Sequence, residues 1–165
     1  MSTSHPVFTA EIGGSPEVIF GLLADLPNYG RWLAGSRSFG ATTQVAPYPV
    51  QLGTTYLDAG PAGNRPGKVT EYDPPTHLGF HQTMLVQRGP LTANIDIQIR
   101  YTLEPLDPAT RITRALDLTI EIPGPLSVAE PLIRWVFRKE NTRLLAELKR
   151  YVEAQPQSGV KNRVP

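Results

Sequence analysis

Residues 126–152, with the sequence LSVAEPLIRWVFRKENTRLLAELKRYV, decide the fold. On a wheel of 3.6 residues per turn, one side of this stretch is apolar and consists of Ile133, Phe137, Leu144, Leu148 and Tyr151. The pattern predicts one long amphipathic helix at the end of the chain. Strand-like segments precede it, and one helix cannot cover the whole face of a many-stranded sheet. We therefore expect the sheet to curl around the helix and to leave a cavity beside it.

The length of 165 residues fits one domain with a sizeable core. We predict a single domain over residues 1–154 and a disordered tail over 155–165, where the sequence has no periodicity. The 16 Lys and Arg against 15 Asp and Glu give a net charge of +1. Such a balance predicts neither nucleic acid nor an anionic membrane surface as a partner and favours a small neutral molecule.

The absence of cysteine excludes disulfides, iron–sulfur clusters, thiolate zinc sites and cysteine nucleophiles. His77 and His81 have the spacing of a helical zinc motif, but their segment has the pattern of a strand, where four residues span roughly 13 Å. We predict no metal and no cofactor. The first ten residues lack the features of a signal peptide, and no stretch reaches the roughly 18 apolar residues of a membrane span. A soluble cytoplasmic protein is the default expectation.

The rest of the chain has the pattern of strands and turns. A first strand at Val7–Ile12 is followed by Ser15, Pro16 and Glu17, which together favour a helix start. A short helical corner is expected before Gly35. Six further strands are predicted at Phe39–Val45, Thr54–Ala59, Lys68–Asp73, Leu78–Val86, Thr92–Leu103 and Arg111–Ile122. Their short, turn-rich connections indicate antiparallel pairing.

Four motifs in this order carry a resemblance to a known family. They are SPEVIF (residues 15–20), LPNYGRW (26–32), GKVTEYDPPTHL (67–78) and LLAELK (144–149). The chain resembles the SRPBCC superfamily, the START-like and birch-pollen-allergen-like group that includes the polyketide cyclase/dehydrase families. The resemblance implies an α+β helix-grip fold: a curved antiparallel sheet of about seven strands around a long C-terminal helix, with a short helical corner after the first strand.

The superfamily includes lipid carriers, metabolite binders and cyclases, so three functions stay open. The first is binding of a small hydrophobic molecule, such as a lipid, polyketide or aromatic metabolite, between the sheet and the helix. The second is a cyclase/dehydrase-type enzyme that uses polar cavity residues without a metal or cofactor. That function requires at least two convergent ionisable groups in the cavity. The third is a protein-interaction module.

The predicted ligand-binding residues come from the inward faces of these elements. They are Trp32, Tyr56, Asp58, Phe80, Ile97, Ile99, Leu118, Phe137 and Asn141. Asn141 falls in the apolar sector of the closing helix, where it either contacts a ligand or only fixes the helix by bonding a backbone group or water. Asp58 either faces the ligand beside Tyr56 or lies in solvent at the strand end.

The cyclase members of the superfamily place Trp, Tyr and Arg residues around a polyketide chain. Trp32 and Tyr29 match that placement, but the sequence offers no counterpart of the basic residue deep in the cavity. Arg65 has the pattern of a loop residue and Lys68 that of a strand start. His81 is predicted to point outward by its alternation with Leu78 and Phe80, unless a bulge reverses the strand.

Trp135 lies opposite the apolar side of the closing helix. Either the segment before Arg138 packs differently, after a kink at Pro131, or this ring contacts a partner. In the second case, an exposed aromatic ring of that size makes the Trp135 face a candidate homodimer contact.

Overall fold

The computed structural model describes residues 1–155, so the predicted tail lies outside the described residues apart from Gln155. The strands are β1 (Ser2–Ser4), β2 (Val7–Ile12), β3 (Ala41–Ala46), β4 (Thr55–Ala59), β5 (Arg65–Asp73), β6 (His77–Arg88), β7 (Leu91–Pro105) and β8 (Thr110–Glu121). The α-helices are α1 (Pro16–Ala24) and α2 (Glu130–Ala154). One 3₁₀ helix, Leu26–Arg31, directly follows α1, and a second, Gly124–Ala129, directly precedes α2.

The strands form one antiparallel sheet in the order β1-β8-β7-β6-β5-β4-β3, and β2 also pairs with β8. Strand β7 lies in the interior of the sheet, between β6 and β8. Its residue Ile97 lies opposite Gln82 on β6 and Leu118 on β8. The predicted α+β fold is confirmed. The sheet has eight strands rather than about seven because Ser2–Ser4 forms a short extra strand against β8.

Among the strands, β5 shows the largest difference in a predicted boundary, since it begins at Arg65 and not at Lys68. Pro66 and Gly67 are turn formers, which is why the sequence pattern starts the strand after them. Pairing with β4 overrides that preference, because Pro66 lies opposite Leu57 and Gly67 opposite Tyr56. As a result Arg65 belongs to the sheet and lies opposite Asp58.

Helix α1 begins as its sequence predicts. The Ser15 hydroxyl accepts a hydrogen bond from the Val18 backbone N–H at 3.3 Å, and Pro16 occupies the first turn. The 3₁₀ helix that follows buries Leu26 and Tyr29. Together these two helices form the predicted helical corner at one end of the sheet.

Helix α2 begins at Glu130, and the four residues before it that were predicted as helix belong to a 3₁₀ helix instead. Pro131 lies in the first turn of α2, where a backbone N–H has no intrahelical acceptor, so a proline costs no helical hydrogen bond. Pro131 therefore starts the α-helix rather than kinking it. Asn141, Leu145, Leu148 and Val152 are the buried residues of α2. Within residues 1–155 no helix is long and apolar enough to cross a membrane.

Candidate functional site

A cavity of about 710 Å³ lies between the inner face of the sheet, helix α2 and the loop after the helical corner. The sheet supplies the floor through inward-facing residues of β4, β6, β7 and β8, and the loop contributes residues 36–39. Most of the lining is apolar, as expected where strands that alternate inward and outward residues curve around one helix. The cavity is open to solvent, and the exposed residues of its lining, which mark the opening, are Arg37, Arg88, Leu132, Trp135 and Lys139.

Seven of the nine residues predicted to bind ligand line this cavity. They are Tyr56, Asp58, Phe80, Ile97, Ile99, Phe137 and Asn141. Trp32 does not line it: its ring is buried and packs on Tyr29 at a centroid distance of 4.9 Å, so that Tyr29 forms the wall. Leu118 is also absent from the lining and lies in the packed core. The prediction failed at this residue because strand alternation shows which face points inward but not how far the cavity extends along the strand.

Asp58 is at the centre of a buried hydrogen-bond cluster. Its Oδ1 accepts a bond from Thr42 Oγ1 at 2.5 Å, and its Oδ2 accepts one from Gln82 Nε2 at 2.8 Å. The same Gln82 nitrogen donates to the Tyr56 hydroxyl at 2.8 Å. Burial raises the pKa of Asp58, against the lowering effects of the Thr42 bond and the Arg65 charge. The structure thus places Asp58 inside the cavity and not in solvent.

Arg114 is a buried basic residue in the cavity lining, and the sequence interpretation missed it. Its Nε donates to Asn141 Oδ1 at 2.6 Å, and its Nη1 donates to the Tyr101 hydroxyl. Its guanidinium carbon lies 4.9 Å from the centroid of the Tyr101 ring. The expectation that the cavity has no deep basic residue was therefore wrong. Strand alternation contained the signal, because Arg114 has the same parity as the inward residue Leu116.

Asn141 connects this cluster to helix α2. Its Nδ2 donates to the Phe137 carbonyl at 2.7 Å while its Oδ1 accepts from Arg114. The amide therefore fixes the helix, as one sequence-based alternative stated, and also holds the guanidinium at the cavity wall. Both amide atoms are used, and the residue is only 5% exposed.

The two clusters share one region of the cavity. The Phe80 ring contacts Tyr56 edge-on at 5.8 Å and Tyr101 edge-on at 6.3 Å. Burial raises the pKa values of Tyr56 and Tyr101, and the charge of Arg114 acts in the opposite direction on both. Asp58 and Arg114, a carboxyl group and a cation, therefore both line the cavity around these aromatic rings.

Of the other basic residues considered from the sequence, Arg65 lies at the cavity, whereas Lys68 and His81 lie outside its lining. Arg65 also lines the cavity and donates from Nη2 to the Ser38 carbonyl at 3.2 Å, whereas Lys68 is exposed outside it. His81 points outward, as alternation predicts, and its Nε2 lies 2.7 Å from Asp96 Oδ2. Residues 1–155 contain no group of three or more side chains that could hold a metal ion.

An antiparallel sheet that curves around one long helix, with a cavity between them, defines the helix-grip class of proteins. The chain belongs to the family described as polyketide cyclase / dehydrase and lipid transport, whose model matches residues 7–153. This family lies within the SRPBCC superfamily that the sequence motifs resembled. No curated protein is similar to the chain in sequence.

Solved structures share the fold at low sequence identity. A START superfamily protein from Mycobacterium smegmatis is 18% identical with a TM-score of 0.66, covering 90% of this chain and 97% of its own. Ara h 8.0201 is 11% identical with a TM-score of 0.64, covering 93% and 100%. DynU16, from the dynemicin biosynthetic locus, is 18% identical with a TM-score of 0.58, and the match covers 91% of this chain but 47% of DynU16.

Proposed function

We propose that the protein binds one small hydrophobic molecule in the cavity between the sheet and α2. The observation that carries this proposal is the cavity of about 710 Å³, which has a mainly apolar lining and buried polar groups gathered around Asp58 and Arg114. Burial of apolar ligand surface would supply the affinity at about 25 cal/mol per Å². A lipid, polyketide or aromatic metabolite fits this description, and the cytoplasm is the expected location.

The polar region supports a ligand that carries an oxygen atom. Arg114 is buried, yet its direct partners Asn141 and Tyr101 are both uncharged. Among residues 1–155 no acceptor takes its Nη2. A buried cation is stabilised by further acceptors, so a carbonyl, hydroxyl or carboxylate of the ligand would complete its hydrogen bonding. This contact would fix the direction in which the ligand enters.

A cofactor-free enzyme of the cyclase/dehydrase type is the second candidate, and one observation favours it. Asp58 and Arg114 are two ionisable groups that line the same cavity, and an enzyme of this type requires at least two such groups to converge on the ligand. Burial raises the pKa of Asp58, which brings a carboxyl group closer to the range where it can exchange protons near neutral pH. Arg114 could stabilise a developing oxyanion beside it.

Titration with Nile red, a neutral apolar dye, tests the binding proposal. We expect saturable binding of one dye molecule per chain, which the double substitution Ile97→Trp/Leu116→Phe weakens by filling the cavity. Gln98→Trp is the matched control, because Gln98 lies next to Ile97 on β7 but faces outward and does not line the cavity. Absence of saturable binding, or equal affinity in both variants, would refute the proposal.

The substitution Asp58→Asn separates the two candidate functions. A carrier should bind a ligand with unchanged chemical structure whether residue 58 is Asp or Asn. An enzyme should convert the bound molecule to a new product, and Asp58→Asn should abolish the conversion while binding persists. Mass spectrometry of the ligand before and after incubation with the protein distinguishes these results.

A further inference from the structure

An exposed apolar stripe borders the open side of the cavity. Val128, Leu132 and Trp135 are 82%, 63% and 57% exposed. Leu132 and Trp135 are three residues apart on α2 and so lie on one face of the helix, and both also line the cavity. Val128 lies in the 3₁₀ helix just before them. The stripe is therefore part of the cavity mouth rather than an isolated exposed surface.

Basic side chains accompany this stripe. Lys139 follows Trp135 by one helical turn, and its Nζ lies 5.2 Å from the centroid of the Trp135 ring. Arg37 and Arg88 are also exposed at the lining of the cavity. None of the three makes an ion pair within residues 1–155.

Acidic residues do little to balance these charges. Six of the eight charged residues that line the cavity are basic. Asp58 is one of the two acids and is buried, and Glu140 is the other and pairs with Arg143 at 3.2 Å. The net charge of +1 for the whole chain thus conceals a cationic mouth. The sequence-based expectation against an anionic surface rested on the total charge and on the absence of a long run of like charges, whereas these basic residues come together only in the folded chain.

We propose that the cavity mouth docks onto an anionic lipid bilayer. Leu132 and Trp135 would enter the interfacial region, where aromatic and aliphatic side chains are stabilised. Arg37, Arg88 and Lys139 would contact the lipid headgroups, each strengthening binding about five-fold. The inference rests on the proposed function, since a docked mouth lets an apolar ligand pass between bilayer and cavity without crossing water.

The charges favour a bilayer over a second copy of the chain. A symmetric dimer through the Trp135 face would place the Lys139 side of one copy against the same surface of the other. Such a contact brings like charges together, and three exposed apolar side chains cover too little area to offset that repulsion. It would also cover the mouth through which the ligand enters.

Co-sedimentation with vesicles tests the proposal. The protein should bind vesicles made of equal parts phosphatidylcholine and phosphatidylserine, and it should bind phosphatidylcholine vesicles at least ten-fold more weakly. Arg88→Glu/Lys139→Glu should reduce binding to the mixed vesicles by more than twenty-fold. Lys68→Glu/Arg100→Glu, which reverses two exposed charges outside the cavity lining, is the matched control and should reduce binding only slightly.

The apolar stripe has its own test. Leu132→Ser/Trp135→Ser should weaken vesicle binding more than ten-fold, and wild-type tryptophan fluorescence should shift to shorter wavelength on vesicles while the variant does not respond. Equal binding to both vesicle types, or no binding, would overturn the proposal. A concentration-dependent dimer that Trp135→Ser dissociates, together with no vesicle binding, would overturn it in favour of self-association.

Nile red binding separates this proposal from the proposed function. If the Arg88→Glu/Lys139→Glu variant and the wild type both bind the dye but neither binds vesicles, docking is wrong and ligand binding stands. If the wild type fails to bind the dye, the proposed function fails whatever the vesicles show.

Discussion

Replacing Asn141 with leucine tests how the buried polar contacts hold α2 to the sheet. The substitution nearly conserves volume but removes the acceptor of Arg114 Nε at 2.6 Å and the donor to the Phe137 carbonyl at 2.7 Å. Losing a hydrogen bond to a buried charged group costs about 1.5–3 kcal/mol. The Phe137 carbonyl lies four residues before Asn141 and keeps its helical partner, so the second loss adds little.

The added apolar surface of leucine offsets about 1 kcal/mol of that loss. The net decrease in the free energy of unfolding is therefore about 0.5–2 kcal/mol, which for a domain of this size lowers Tm by about 1–8 °C. Urea unfolding followed by circular dichroism measures the decrease, and a thermal scan measures Tm.

Asn141→Asp is the matched control for this measurement. Its carboxylate can still accept from Arg114 Nε and adds an opposite charge, so this variant should lose less stability near neutral pH than the leucine variant. If the leucine variant is as stable as the wild type, or less affected than the aspartate variant, the bond between Arg114 and Asn141 does not stabilise the fold as described.

Three further predictions concern Asp58, Gly67 and Leu148. Burial raises the pKa of Asp58, so the folded state retains a proton that the unfolded state has lost, and the free energy of unfolding should fall as pH rises from about 4 through the raised pKa. In Asp58→Asn the free energy of unfolding, measured by urea titrations at a series of pH values, should lack this part of the decrease. A Cβ at Gly67 would lie 2.3 Å from the Tyr56 ring, so Gly67→Ala should displace that ring and cost about 1–3 kcal/mol of stability, with weaker Nile red binding. Leu148→Ala should lose about 2–5 kcal/mol in urea unfolding, because Leu148 is fully buried, whereas Leu85→Ala at a half-exposed position should lose little.

The fold could be predicted because its periodic signals are long. The residues of β7 alternate between buried and more exposed from Ala93 to Leu103, and the strand pairs with β6 over residues 91–102 and with β8 over residues 94–105, so its inward face was unambiguous. The amphipathic pattern of α2 and the Ser15 cap were equally local signals. Strand β1 spans only three residues, and its place at the sheet edge depends on pairing with β8, which no local pattern encodes.

The site could be predicted only in part, because alternation gives the face of a residue and not its neighbours. Tyr56 and Asp58 both line the cavity, although the sequence left a position in solvent open for Asp58, and Gln82, which bonds both, was missed. Arg114 was missed for a different reason. A charged residue between apolar neighbours on one strand face suggests that the strand departs from its alternation there and exposes the charge. The structure instead shows Arg114 buried, with Asn141 of α2 and Tyr101 of β7 as its partners. Those partners are distant in sequence.

Native mass spectrometry of the protein after incubation with a total lipid and metabolite extract tests the central claim most directly. The account predicts one adduct of defined mass per chain, lost in Ile97→Trp/Leu116→Phe and retained in Gln98→Trp. A protein that stays at its ligand-free mass, or one whose adduct is equally abundant in both variants, would contradict the claim that the cavity between the sheet and α2 holds a hydrophobic ligand.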